Sequence, residues 1–250
     1  MSVANAVHDV VLLHGWGMTG DAWRELAARS PAHLRLHAPD LADHEAAHRP
    51  GSALSALAAS VAAQAPERCH VVGWSLGAQV AVEWALQRPR QVESLALIAA
   101  TPCFVARDDW ASAMPPDVFD AFAALVRVDA AAALARFTAL QAQGDEHMGR
   151  VARALRSAVR KTAPSSGDAL LDGLDILRGT DLRASLPDVQ QRVCLVHGER
   201  DGLVPRAAAE YLQQALPRAQ LHLVQGAAHA PHISRPDTVA ALIADFFDER

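Results

Sequence analysis

Cysteine is scarce in this chain: Cys69, Cys103 and Cys194 are the only three in 250 residues, odd in number and far apart. They form neither a disulfide framework nor a zinc-ligand spacing, so a reducing compartment is expected and no metal or other cofactor is implied. No apolar run is long enough to span a bilayer, and the first residues lack the basic start, apolar stretch and cleavage site of a secretory signal. The expectation is a cytoplasmic monomer with no membrane partner. Positive charge is not in excess either. Lys and Arg number 23 against 28 Asp and Glu, a net charge of −5, which argues against a nucleic-acid partner. Lysine is nearly missing, with Lys161 standing alone. What is present is a chain 51% hydrophobic and 20% charged, enough for one domain that buries a core without disulfides.

Short apolar, β-branched runs alternate with longer segments of helical period. Strands are expected at Asp9–His14, Leu34–Ala38, His70–Val72, Val92–Ala99, Arg192–Val196 and Gln220–Val224. Helices are expected near Asp21–Ser30, Ser52–Gln64, Leu76–Gln87, Arg206–Leu216 and Pro236–Phe247. That alternation predicts an α/β fold, a mostly parallel sheet flanked by helices. From about residue 104 to 183 the rhythm fails: helical segments are punctuated by Pro115-Pro116, Gly144, Pro164 and Gly167, with no convincing strand. An all-helical insertion after a parallel strand emerges at the carboxyl ends of the sheet, where such sheets bind ligands. It reads as a cap on a core of residues 1–103 and 184–250.

The chemistry centres on Gly73-Trp74-Ser75-Leu76-Gly77. Average glycine usage gives a G-x-S-x-G match by chance in roughly several per cent of chains this long, but here the motif follows a strand and opens a helix. That is the setting of a nucleophile elbow, a turn so tight that its neighbours must be tiny. A serine hydroxyl needs a base to take its proton. His229 follows a late strand in Gly226-Ala227-Ala228-His229-Ala230-Pro231, and Asp201 follows an earlier one, ready to orient the imidazole. Glu199 competes with Asp201 as orienter, and His222 and His232 compete with His229; loop position favours Asp201 and His229. The oxyanion needs two main-chain N–H donors, assigned to Leu76 and to Trp16 in the loop His14-Gly15-Trp16-Gly17. His14 reads as a structural tie within that loop. The Ser, Asp, His order and the elbow resemble the α/β-hydrolase fold.

Between Arg127 and Lys161 seven basic residues face three acids, a net +4 on an acidic chain. At helical spacing Arg150, Arg153, Arg156 and Arg160 share roughly one third of the circumference, with Val151, Leu155, Ala158 and Val159 opposite. This is either a solvated face or a docking surface for an acidic partner.

More specific runs are Thr101-Pro102-Cys103-Phe104-Val105-Ala106-Arg107-Asp108-Asp109-Trp110 and Arg136-Phe137-Thr138-Ala139-Leu140-Gln141. With Leu12 through Gly17, Asp201 through Arg206 and Ala228 through Pro231, they make most of the chain similar to the pimeloyl-[acyl-carrier protein] methyl ester esterases of biotin synthesis. The resemblance implies Ser75, Asp201 and His229 as triad. It implies substrate contact at Trp16, Ser75, Leu76, His229 and the stretch from Phe137 to Gln141. It further implies docking of acyl carrier protein on Arg136 and Arg153, with Arg156 and Arg160 beside them. The reaction implied is hydrolysis of the methyl ester at the far end of a carrier-bound pimeloyl chain. The same machinery would serve a general small-ester carboxylesterase or lactonase, whereas a binding protein without turnover has no need of all three triad groups.

Overall fold

Apolar runs with no polar face need cover on both sides, which a parallel sheet between helices provides. In the computed structural model, which describes residues 7–41, 53–159 and 166–249, six runs form one sheet, and the inner four are largely buried. The six are β1 His8–Leu13, β2 Leu34–His37, β3 Cys69–Trp74, β4 Val92–Ile98, β5 Arg192–Gly198 and β6 Ala219–Val224. The order is β2-β1-β3-β4-β5-β6, every pair parallel, so the expected α/β class holds. All of β3 is buried, while the edge strand β6 keeps exposed positions.

From β1 the chain moves outward to β2, then returns to build β3 on the other side of β1. That reversal is a topological switch point, and the crevice lies outside the carboxyl ends of β1 and β3. The loops at His14–Gly17 and at Ser75 therefore meet there.

The helices are α1 Arg24–Ala27, α2 Ala53–Gln64, α3 Leu76–Gln87, α4 Pro116–Val128, α5 Ala130–Ala142, α6 Met148–Ala158, α7 Ser166–Gly179, α8 Arg206–Ala215, α9 Pro231–Ser234 and α10 Pro236–Asp248. The helix expected at Asp21–Ser30 is shorter: a 3-10 turn at Gly20–Trp23, capped by the Thr19 side chain, leads into one turn of α1, and Pro31 disfavours helical backbone at Ser30. Ser52, expected to open α2, lies outside the described residues. Helix α9 has no counterpart among the expected elements. None of the described helices is long and apolar enough to cross a membrane.

Helices α4 to α7 fill the space between β4 and β5 in the chain. In α6, Val151, Leu155 and Ala158 are buried and Arg153 and Arg156 exposed, the segregation read from the spacing. Helix α6 stops at Ala158, because Val159 turns extended and bridges Met18 while Ala158 O accepts from Thr19 N–H at 3.0 Å. Pairing with the core loop outcompetes another helical turn. Arg160 and Lys161 lie outside the described residues. Arg150 is tied down, its guanidinium donating to Ser234 O.

Candidate active site

Ser75 follows β3 and caps α3, with φ 55° and ψ −115°. An L-residue pays about 1–3 kcal/mol for such backbone, and the packing around it explains how it is held. A Cβ on Gly73 would lie 2.5 Å from Gly77 O, and one on Gly77 would lie 2.1 Å from Leu13 O. Only glycine at both positions lets the strand-to-helix turn close against β1. The turn projects Ser75 out of the sheet at the amino end of α3, where the first N–H groups have no intrahelical acceptor.

His229 Nε2 lies 3.1 Å from Ser75 Oγ, and His229 Nδ1 lies 2.8 Å from Asp201 Oδ2. The His229 and Asp201 side chains are 1% and 0% exposed. The arrangement calls for an Nδ1–H donating to Asp201, which leaves the Nε2 lone pair to accept the Ser75 O–H. The other oxygen of Asp201 accepts from the N–H groups of Leu203 and Val204, both at 2.9 Å. Burial opposes the charge of Asp201, yet the field and hydrogen bond of His229 and the nearby His197 hold its carboxyl below the ordinary value. A fixed, ionised carboxylate behind an imidazole and a hydroxyl in front form the chain of groups needed to activate a nucleophile.

The rival groups sit elsewhere. Glu199 accepts from Gly226 N–H at 3.1 Å and braces the turn before His229. His222 lies within edge strand β6. His232 is fully buried between Trp23 and Trp74, each ring centroid 4.7 Å away, and burial pushes its pKa down to about 3. His14 accepts from Leu41 N–H at 2.9 Å and lies 2.8 Å from Gly15 O through its other nitrogen, tying the loop together.

Trp16 is 3% exposed and its indole donates to Leu170 O in α7 at 2.8 Å. It meets Phe137 and Phe122 edge-on at 5.0 and 5.5 Å. Beyond it lies an apolar cavity of about 300 Å3 lined by Trp16, Phe104, Phe119, Phe122, Phe137 and Leu174, with exposed Arg136 also in its wall. Gln141 is 1% exposed; its main-chain oxygen accepts from His229 N–H at 3.3 Å, and its buried side-chain NH2 has no partner among the described residues. Arg136, Arg153 and Arg156 are exposed and without ion-pair partners among the described residues.

Two residues that hold the site carry no sequence signal of doing so. Trp74 donates from its indole to His229 O at 2.8 Å. Asp145, 7% exposed in the turn between α5 and α6, receives three hydrogen bonds: Ala228 N–H at 2.8 Å on one oxygen, and His147 N–H at 2.7 Å and Ser234 Oγ–H at 2.8 Å on the other. It thus binds the helical insertion to the residue preceding His229. Nothing local marks Asp145, because its role depends on which loop the insertion packs against.

The family model of the alpha/beta hydrolase fold matches residues 10–236. The pimeloyl-[acyl-carrier protein] methyl ester esterase of Nitrosomonas europaea is 40% identical over 230 residues, 92% of this chain and 91% of that protein. The esterase of the same description from Serratia marcescens is 39% identical over 246 residues, 98% of this chain and 96% of that protein. Among solved structures, an esterase from Exiguobacterium antarcticum superposes with a TM-score of 0.81 at 19% identity, covering 96% of this chain and 92% of its own. That likeness speaks for the fold alone.

Proposed function

This chain belongs to the alpha/beta hydrolase fold family and, within it, to the pimeloyl-[acyl-carrier protein] methyl ester esterases, and from that premise we propose that it hydrolyses the methyl ester of a pimeloyl group borne on acyl carrier protein, as a step of biotin synthesis. It is a carboxylic ester hydrolase. The observation that carries the substrate is the kinship itself, about two residues in five identical over more than nine-tenths of the chain.

Ser75 Oγ attacks the ester carbonyl carbon while His229 Nε2 takes its proton, and Asp201 stabilises the imidazolium. Charge on the carbonyl oxygen develops toward the N–H groups of Trp16 and Leu76. The C–O bond to the methyl side breaks, and methoxide leaves as methanol with the proton held by His229. Water, deprotonated by the same nitrogen, attacks the acyl-serine; the acid departs and the proton returns to Ser75. Support comes from the Ser75–His229–Asp201 hydrogen bonds at 3.1 and 2.8 Å.

Residues 104–183 act as a cap. The apolar cavity beyond Trp16, with Phe137 in its wall and Gln141 close by, suits a seven-carbon chain, because methylenes gain about 0.8 kcal/mol each on leaving water. Arg136, Arg153 and Arg156 hold the acidic carrier, with Arg160 added to them from the resemblance alone. A cytoplasmic monomer fits this role. Purified protein given methyl-pimeloyl carrier protein should release methanol and leave the free acid. Turnover of small esters with none of the carrier ester would replace the proposal with a general carboxylesterase or lactonase.

A further inference from the structure

Strands β1, β3 and β4 begin side by side at the end of the sheet away from Ser75. Their first residues bring together His8, His70 and Glu93, with donor atoms all within 4.8 Å of one another. The pairing of β3 with β4 runs Cys69↔Val92 and then Val71↔Leu95, so His70 alone faces both Glu93 and Ser94. This is a bulge, an extra residue that re-aims side chains and is rare between parallel strands. Its effect is specific. Ser94 Oγ takes up His70 Nδ1 at 2.8 Å, and Glu93 Oε2 lies 3.5 Å from His70 Nε2. On the other side Val10 pairs with His70, and His8, two residues earlier on the same face, puts Nδ1 3.2 Å from that same Nε2. Phe247 stacks on the His70 ring at 4.4 Å and 17°, and Arg68 holds the remaining Glu93 oxygen at 2.6 Å.

We infer that His8 Nδ1, His70 Nε2 and Glu93 Oε2 form a binding site for a divalent transition-metal ion of the zinc class. Tetrahedral zinc with bonds of about 2.0–2.1 Å has ligand-to-ligand edges of about 3.3–3.4 Å, and the two edges at His70 are 3.2 and 3.5 Å. A metal-bound imidazole commonly donates its other N–H to an oxygen that fixes the ring, and Ser94 Oγ occupies that place. Two imidazoles and a carboxylate favour zinc, cobalt, nickel or copper over magnesium and calcium, which prefer oxygen. A fourth position is left for water, since the cluster opens into a surface cavity that also includes Arg192 and Glu249.

The spacing of Cys, His and acidic residues along the chain implies no metal. Metal motifs are recognised by ligands a few residues apart, whereas these come from three strands and are aligned by a bulge. The ion would pin the starts of β1, β3 and β4. Ser75 is five residues along β3 from His70, about 16 Å at strand rise, so ion binding leaves the ester chemistry unchanged.

The test is thermal unfolding of the purified full chain with zinc chloride, and separately with magnesium chloride, supported by titration calorimetry. At about a hundred-fold excess over Kd, zinc should raise Tm by roughly 5–10 °C and magnesium should not. His8→Ala and Glu93→Gln, both on partly or fully exposed side chains, should each weaken zinc binding at least ten-fold. Ser75→Ala should bind zinc as the wild type does, and the cobalt form should show the intense visible bands of a tetrahedral site. Absence of any zinc-induced shift would overturn the inference. So would a shift undiminished in both His8→Ala and Glu93→Gln, which would put the ion elsewhere.

Discussion

The hydrogen bond from Ser75 to His229 requires that His229 be held in place, and two of the three residues that hold it lie outside the Ser75–His229–Asp201 chain. Asp201 fixes the imidazole from behind, Trp74 binds the His229 carbonyl, and Asp145 binds the preceding N–H. Hydrogen bonds to a charged acceptor contribute about 1.5–3 kcal/mol each, so Asp145 is expected to act as a positioning residue with a measurable effect. Asn at 145 keeps the shape but turns one oxygen into a donor facing N–H or O–H groups. Asp145→Asn is expected to lower kcat about ten-fold on small esters and carrier ester alike, with KM little changed. A fall in Tm with kcat intact would reduce Asp145 to a purely structural role.

Elements divide the labour between core and insertion, and they also mark where sequence stopped being readable. The six strands were legible to within two residues because the inner ones are largely apolar runs, the edge strands β2 and β6 alternate apolar with polar residues, and turns bound them all. That Ser75, Asp201 and His229 come together was legible because an elbow is a local pattern and the order of the two loop residues follows chain direction. Asp145 was not, nor was the end of α6, since both depend on contacts with segments far away in sequence: Ala228 for one, Met18 for the other. The bulge between β3 and β4 was hidden for the same reason. Helix α6 carries the prediction proper to this scale. Its buried face is apolar and its outer arginines, Arg153 and Arg156, have no partners among the described residues. Charge reversal in Arg153→Glu/Arg156→Glu should raise KM for the carrier ester ten-fold or more, mostly through slower association at low salt, and leave small-ester kinetics unchanged. Equal losses on both substrates would refute docking there.

The whole molecule couples its stability to pH through histidines kept neutral by burial. His232 titrates near 3 and His70 near 4 in the folded state, both depressed first by burial, against 6.5 when unfolded. As pH falls below about 6.5 the unfolded chain takes up protons that the native chain refuses. Stability is therefore full above that pH and declines on acidification, by up to about 1.4 kcal/mol per pH unit for each histidine. Denaturant unfolding between about pH 6 and 5 should show this slope, and His232→Phe should reduce it whatever its effect on absolute stability; an unaltered slope would mean His232 is protonated in the fold. The proposed function requires Ser75 to act on a carrier-borne ester. Its most direct test is mass spectrometry of methyl-pimeloyl carrier protein incubated with wild type and with Ser75→Ala. Wild type should convert the ester to the free acid, and Ser75→Ala should be slower by about 10⁶-fold. An ester left intact by the wild type, or demethylated as fast by Ser75→Ala, would contradict it.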